Sequence, residues 1–183
     1  PFLAFLVLPW PCFAQPALEA DKLNLIKRAT VFIQNPAART TGSGFVVAVE
    51  GDQVFCVTNA HVVGGRAGQS IASEVIVDSG GPSPRRSRSQ VLCLEENEDL
   101  AILSFTLEKP PAPIPLSSSV DVPETTPVFV FGFPFGEELA AHDRTPAVTV
   151  SRASVSAQRR DADESPFGWR RTSSSCRCSC ARA

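Results

Sequence analysis

Six short apolar runs follow one another between residues 29 and 106, and they limit what the chain can fold into more than any other feature. Each is rich in Val, Ile or Phe, and clusters of Gly, Asp, Asn, Ser and Pro separate them. The runs are ATVFIQN, GSGFVVAVE, QVFCVTN, SEVIVD, SQVLCLE and LAILSF. Runs of this length are typical of strands, and tight turns such as Glu50-Gly51-Asp52 favour antiparallel hairpins. The pattern predicts an all-β fold.

The segment before these runs has a different character. An apolar run from Phe2 to Trp10 is followed by Cys12-Phe13-Ala14, a small-residue pattern suited to signal peptidase. We interpret residues 1–14 as the remainder of a secretory signal and expect export to the periplasm or the cell exterior. A lipoprotein signal ending at Cys12 and a buried apolar segment are the alternatives. The run is too short to span a bilayer.

Residues 15–28 follow this run, and there Leu23, Ile26 and flanking apolar residues recur at helical spacing, which predicts a short amphipathic helix. A proline-rich connection, residues 108–127, comes after the six runs and cannot be regular sheet, because proline lacks the N–H that a strand ladder needs. Strand character resumes in VFVFGFPFG and TPAVTVSRASVSA. The connection therefore predicts a division into two structural halves.

Charge and size exclude some functions. The 183 residues are 43% hydrophobic, enough for one ordinary domain, and 17 basic residues nearly balance 19 acidic ones. Nothing in this balance indicates a nucleic-acid partner.

The chain has two histidines, so a histidine-dependent mechanism has few candidates. His61 lies in CVTNAHVV, where a predicted strand ends and a helical turn begins, whereas His142 lies in the polar segment LAAHDRT. We interpret His142 as a surface or merely packed residue, whereas the surroundings of His61 make it the candidate for a functional role.

The segments TGSGFVVAVEGDQVFCVTNAHVV, NEDLAIL, VFVFGFPFG and AVTVSRASVSA, taken in this order, resemble the trypsin-like serine proteases of the HtrA/Deg type. The resemblance covers about residues 29–160. It implies a double β-barrel, with a complete first barrel over residues 29–122 and the start of a second over 123–157. It also implies peptide-bond hydrolysis of polypeptide substrates through an acyl-enzyme, without cofactor or metal.

The resemblance assigns His61 as the general base and Asp99 as the carboxylate that orients it. In such a pair the carboxylate accepts the Nδ1 proton, fixes the tautomer and stabilises the imidazolium. The neighbouring acids are interpreted as a solvated loop face; they are Glu95, Glu96 and Glu98. Gly42 and Gly44 are expected to allow close backbone approach beside the histidine loop. The glycines of 132–136 are expected to shape a loop, and Ser43 is expected to be a turn hydroxyl.

The nucleophilic serine is the member of the triad that the sequence does not provide. Ser79 lies in VDSGGPSP, which contains letters found around the nucleophile of trypsin-like proteases. However, Ser79 precedes Asp99 in the chain, and the residue before Asp78 is Val77, where the nucleophile motif has a glycine. We predict a hairpin turn there. In the family the nucleophile segment, Gly-Asn-Ser-Gly-Gly or Gly-Asp-Ser-Gly-Gly, follows the second-barrel strand, and no such segment follows Ala157. Ser173, Ser174 and Ser175 lie in about the right region but have no flanking glycine.

Residues 158–183 depart from the rest of the chain, since they contain six Arg and three Cys but no Val, Ile or Leu. We predict that this tail is disordered or aberrant and hypothesise a frameshift or mis-joined exon near Asp163. The chain also has no Met, and we interpret it as an incomplete reading frame.

Cysteine spacing leaves several possibilities open. A disulfide between Cys56 and Cys93 and a pair of buried thiols are both compatible with the sequence, and we favour the thiols. Cys176, Cys178 and Cys180 lack the spacing and the second ligand pair of a zinc site.

The sequence as a whole therefore predicts a serine-type endopeptidase that is inactive as written, with a non-catalytic peptide-binding module as the alternative. Oligomeric state is not predicted.

Overall fold

The computed structural model describes residues 17–64, 73–117, 122–140 and 145–157. Helix α1 (Ala20–Ala29) begins this part of the chain, with Asp21 in its first turn and Lys27 and Arg28 in its last, an order that complements the helix dipole. The Thr30 hydroxyl donates a 2.7 Å hydrogen bond to the carbonyl oxygen of Ile26 at the point where the helix passes directly into the first strand.

Six antiparallel strands close into a barrel after α1. They are β1 (Thr30–Asn35), β2 (Thr40–Glu50), β3 (Gln53–Thr58), β4 (Ser73–Val77), β5 (Arg85–Glu95) and β6 (Leu100–Thr106). Their order around the barrel is β1-β2-β3-β6-β5-β4, and β4 pairs with β1 to complete the ring. A closed barrel leaves no strand edge exposed.

The barrel interior is filled by one face of each strand. Val31, Val46, Val54, Cys56 and Leu103 are fully buried there, as the alternation of side chains along a strand requires. Burial raises the pKa of the Cys56 thiol to about 12. Cys56 therefore stays protonated at neutral pH and serves as a core residue rather than as a nucleophile.

Cys56 and Cys93 lie on opposite faces of the barrel wall. Cys56 pairs in register with Leu103, whose side chain points inward, whereas Cys93 pairs with Ile102, which is exposed on the outer face. The two residues are not joined by a disulfide. The register accounts for this, because a bridge between opposite faces would have to cross the sheet.

A second, two-stranded sheet packs against the outside of the barrel. It consists of β7 (Pro127–Gly132) and β8 (Thr149–Ser154), with a 3-10 turn (Gly136–Leu139) between them. The Phe133 ring lies 5.1 Å from the Phe32 ring, and both are buried with Ile76 and half-buried Val148. The prediction of an all-β fold with one complete barrel and a partial second one is confirmed.

The stretch 78–81 is the turn of the β4–β5 hairpin. Asp78 and Gly80 adopt left-handed backbone conformations, and the Gly81 N–H donates a 3.0 Å hydrogen bond to the Asp78 carbonyl oxygen. The Ser79 hydroxyl is buried and donates a 2.6 Å hydrogen bond to the carbonyl oxygen of Pro146. The Ser79 hydroxyl therefore fastens the segment that leads into β8 to the barrel.

Replacing Ser79 by alanine should lower the free energy of unfolding by about 1–3 kcal/mol, because the buried carbonyl oxygen of Pro146 loses its donor. Chemical denaturation monitored by circular dichroism measures the change. The matched control is Ser83→Ala, at an exposed serine in the same β4–β5 connection. It should change the free energy of unfolding by less than about 0.5 kcal/mol. Equal stabilities for the two variants would contradict a stabilising role for the hydrogen bond between Ser79 and Pro146.

Candidate active site

A four-residue helix, α2 (Ala60–Val63), carries His61 at one end of the barrel. Its Val62 and Val63 side chains are buried in the barrel core. Two side chains of the barrel hold its carbonyl groups: Asn35 donates a 2.6 Å hydrogen bond to Val63, and Thr40 donates one of 2.6 Å to Val62. The helix is thus fixed on its inner side, and His61 is presented on the outer side.

Asp99 ends the turn that joins β5 to β6. It adopts a left-handed conformation with φ of 51°, which costs a residue other than glycine about 1–3 kcal/mol, and Asp is among the residues that tolerate it best. The β3–β6 pairing sets Thr58 opposite Ala101. This register brings the end of β3 and the start of β6 together, so that residues 38 positions apart in the sequence become neighbours.

The His61 ring and the Asp99 carboxylate are in direct contact. His61 Nδ1 lies 2.7 Å from Oδ2 and 3.0 Å from Oδ1 of Asp99. Since an ionised carboxylate only accepts hydrogen bonds, Nδ1 must carry the proton, and Nε2 on the far edge of the ring is then the basic nitrogen. The His61 side chain is 69% exposed, which leaves this edge accessible to a reacting group.

Two further donors reach Asp99. The backbone N–H of His61 donates a 3.0 Å hydrogen bond to Oδ1, and the Asn59 side-chain amide donates bonds of 3.1 Å to Oδ2 and to the Asp99 carbonyl oxygen. The sequence pattern pointed to His61 and Asp99 but not to Asn59. The only signal for it was an asparagine at the position that precedes a helical turn, which ordinarily predicts a helix cap.

These contacts set the charge of the pair. The backbone N–H of His61 makes the largest contribution to holding the pKa of Asp99 below its ordinary value, against partial desolvation. The His61 ring and the Asn59 amide act in the same direction. Asp99 is therefore ionised at neutral pH, which the predicted role of orienting carboxylate requires. The acids of the preceding turn are exposed; they are Glu95, Glu96 and Glu98.

Ser79 lies at the other end of the barrel from this pair. Ile76, close before the hairpin turn, pairs with Phe32 at the start of β1. The helix α2 is held at the end of β1, where Asn35 bonds Val63. Ser79 also uses its hydroxyl in the contact with Pro146. Its hairpin turn therefore lies away from the histidine.

Ser43 has a structural contact instead of a catalytic one. Its hydroxyl accepts a 2.8 Å hydrogen bond from the Phe133 backbone N–H, and its carbonyl oxygen accepts one of 2.8 Å from the Thr58 hydroxyl. Gly132 allows this approach, because a Cβ there would lie 2.8 Å from the Ser43 hydroxyl oxygen. Ser43 thus links the strand that precedes His61 to the second sheet.

The described part of the chain shows no other candidate chemistry. Over residues 17–64, 73–117, 122–140 and 145–157, no group of three or more His, Cys, Asp or Glu side chains is placed to hold a metal ion. No helix in those ranges is long and apolar enough to cross a membrane. Several sequence predictions fall outside these ranges: the signal segment 1–14, His142, the serines of 173–175 and the tail 158–183.

A closed antiparallel barrel that presents a paired histidine and aspartate beside a second sheet defines a chymotrypsin-type peptidase architecture. Comparison with known proteins agrees with this class: a family model described as the trypsin-like peptidase domain matches residues 42–181. The chain belongs to that family.

Two similar proteins indicate that the chain is of the HtrA/Deg type within this family. The magnetosome formation protease MamE of Paramagnetospirillum magneticum (strain ATCC 700264 / AMB-1) is 33% identical over 129 residues, which are 69% of this chain and 15% of MamE. The chain thus corresponds to a small part of that relative's length. The crystal structure of Deg5 superposes with a TM-score of 0.59 at 26% identity, covering 82% of this chain and 70% of Deg5.

Replacing Asp99 by asparagine should remove a pH-dependent part of the stability. The pKa of the Asp99 carboxyl is lower in the folded chain than in the unfolded chain. The stabilisation that ionised Asp99 gives to the fold is therefore fully present above its unfolded-state pKa, and it is lost as the pH falls through its folded-state pKa. The difference in unfolding free energy between the parent and Asp99→Asn should therefore shrink towards zero in that acid range. Urea titrations at a series of pH values measure it.

Glu98→Gln, at the exposed acid that precedes Asp99, is the control and should follow the parent curve closely. A gap between the parent and Asp99→Asn that stayed constant through the acid range would contradict the assignment of an ionised, hydrogen-bonded Asp99.

Proposed function

We propose that this chain carries the general base and orienting carboxylate of a serine endopeptidase that acts on polypeptides. The observation that carries the proposal is the 2.7 Å contact between Nδ1 of His61, on α2, and Oδ2 of Asp99, in the β5–β6 turn of a trypsin-like barrel. Membership of the trypsin-like peptidase family supports it.

In the proposed mechanism, His61 Nε2 accepts the proton of a serine hydroxyl as its oxygen attacks the scissile carbonyl. His61 then delivers this proton to the departing amine, and a water molecule is activated in the same way to release the acyl group. Asp99 holds the ring in the Nδ1–H tautomer and stabilises the imidazolium while the proton resides on His61. No cofactor is needed for these steps.

The serine itself is expected in a glycine-flanked segment that these 183 residues do not contain after Ala157. Without it the two backbone N–H donors of an oxyanion hole are also missing, and each contributes about 3–4 kcal/mol to stabilising the transition state. We therefore propose that these 183 residues alone do not turn over substrate. Export, which rests on residues 1–14, stays a prediction.

The test compares two polypeptides with a serine-directed fluorophosphonate probe. One is the chain as given, and the other continues in the alternative reading frame downstream of Asp163. We expect a Gly-Asn-Ser-Gly-Gly or Gly-Asp-Ser-Gly-Gly segment in that frame and labelling of the second polypeptide only. Labelling of the chain as given would overturn the proposal that it lacks a nucleophile.

Substituting each histidine of the frame-corrected chain identifies the base. His61→Ala should reduce probe labelling and hydrolysis of an unfolded protein substrate to background, a loss on the order of 10⁶ in kcat. His142→Ala is the matched control and should retain both activities. Labelling that did not depend on His61, or the absence of the serine segment from the other frames, would contradict the mechanism. Peptide binding without labelling would instead favour a non-catalytic binding module.

A further inference from the structure

The Asn59 side chain is directed away from its own helix. Asn59 stands at the N-cap position of α2, yet its side chain makes no capping hydrogen bond there. Its amide instead donates to two oxygens of Asp99, one on the carboxylate and one on the backbone, each at 3.1 Å. An asparagine in this position ordinarily accepts from the first turn of its own helix, so the observed orientation needs another explanation.

Asp99 provides the cap that Asn59 does not. Its Oδ1 accepts the hydrogen bond from the His61 backbone N–H, the second residue of α2 and a usual donor to a capping side chain. A carboxylate has about four acceptor positions. Asp99 can therefore receive the His61 backbone, the His61 ring and the Asn59 amide at the same time.

Burial does not fix the orientation of this carboxylate. The Asp99 side chain is 44% exposed and the His61 side chain 69% exposed, so packing leaves both with rotational freedom. The Asn59 amide restrains that freedom at two points, because it bonds the backbone of Asp99 and the same Oδ2 atom that lies 2.7 Å from His61 Nδ1. The rotamer and the backbone conformation of Asp99 are thus held together.

We infer that Asn59 is a positioning residue for the His61–Asp99 pair. It holds Asp99 in the rotamer whose Oδ2 accepts from Nδ1, and thereby keeps neutral His61 in the Nδ1–H tautomer with Nε2 as the base. That this tautomer serves peptide hydrolysis rests on the proposed function; the positioning itself rests on the contacts of Asn59 and Asp99.

The tautomer of His61 can be measured without substrate or nucleophile. Nitrogen-15 NMR of the ring, at a pH where titration shows it to be neutral, distinguishes the Nδ1–H form from the Nε2–H form. The full chain carries His142→Gln in all samples, so that His61 is its sole histidine. The parent should show predominantly Nδ1–H.

Three substitutions of Asn59 separate positioning from folding. Asn59→Ala should lower the ratio of Nδ1–H to Nε2–H about tenfold, the change in an equilibrium that the loss of one charge-assisted hydrogen bond produces. Asn59→Ser keeps a capping residue but reaches Asp99 less well, and it should lower the ratio similarly. Asn59→Gln keeps the amide donor and should restore part of the ratio.

Asn97→Ala is the matched control. Asn97 is an exposed asparagine in the β5–β6 turn that ends at Asp99, and its side-chain amide donates to Glu95 and not to Asp99. It should leave the ratio unchanged. If Asn59→Ala fails to fold, the Ser and Gln variants carry the comparison. A ratio that stays at the parent value in Asn59→Ser and Asn59→Ala would overturn the inference, as would an equal fall in Asn97→Ala.

The two proposals fail separately in these experiments. An unchanged tautomer ratio together with probe labelling that depends on His61 would remove the role of Asn59 and leave the peptidase proposal standing. A tenfold fall in the ratio without any labelling of the frame-corrected chain would support the positioning role and contradict the peptidase proposal.

Discussion

The pairing of β3 with β6 is the interaction on which the rest of the structure depends. Its backbone ladder joins the two halves of the barrel wall and sets Thr58 opposite Ala101. Because side chains alternate along a strand, a slip of one residue would turn either Cys56 or Leu103 out of the core, depending on which strand moved. The same slip would separate α2, which carries His61, from the turn that carries Asp99. Core packing and the candidate site are therefore fixed by one register.

Hydrogen bonds rather than burial organise the candidate site. His61 and Asp99 are both substantially exposed, and the contacts around them come from backbone and amide groups. The inner side of α2 is rigid, since Val62 and Val63 are packed in the core and their carbonyl groups are bonded to barrel side chains. An exposed pair on a fixed support leaves Nε2 accessible. The proposed role of His61, as the base for a serine of another segment, requires this access.

The second sheet is attached to the barrel at two separated places. Ser43, which pairs with Phe32 in the middle of β1, accepts a hydrogen bond from Phe133, and Ser79 donates one to Pro146 near the start of β1. Between these contacts the Phe32 and Phe133 rings pack with Ile76. Polar bonds at both ends of an apolar contact fix orientation as well as position. The Ser43 and Ser79 hydroxyls thus both make structural contacts.

The sequence by itself determined the strand runs, the fold class and two members of the candidate site. Apolar alternation and turn residues are local signals, and the segments around His61 and Asp99 are distinctive enough to be read without coordinates. The sequence left open the state of Cys56 and Cys93, which the structure decided by placing them on opposite faces of the wall.

The contacts of Asn59 with Asp99 and of Ser79 with Pro146 could not be predicted from the sequence either. Their partners, Asp99 and Pro146, lie 40 and 67 residues away. Such contacts depend on barrel closure and on the docking of the second sheet, and local propensity carries no information about either. Only the tertiary structure could therefore decide that a residue resembling a helix cap bonds the aspartate, and that a residue resembling a nucleophile joins the two halves.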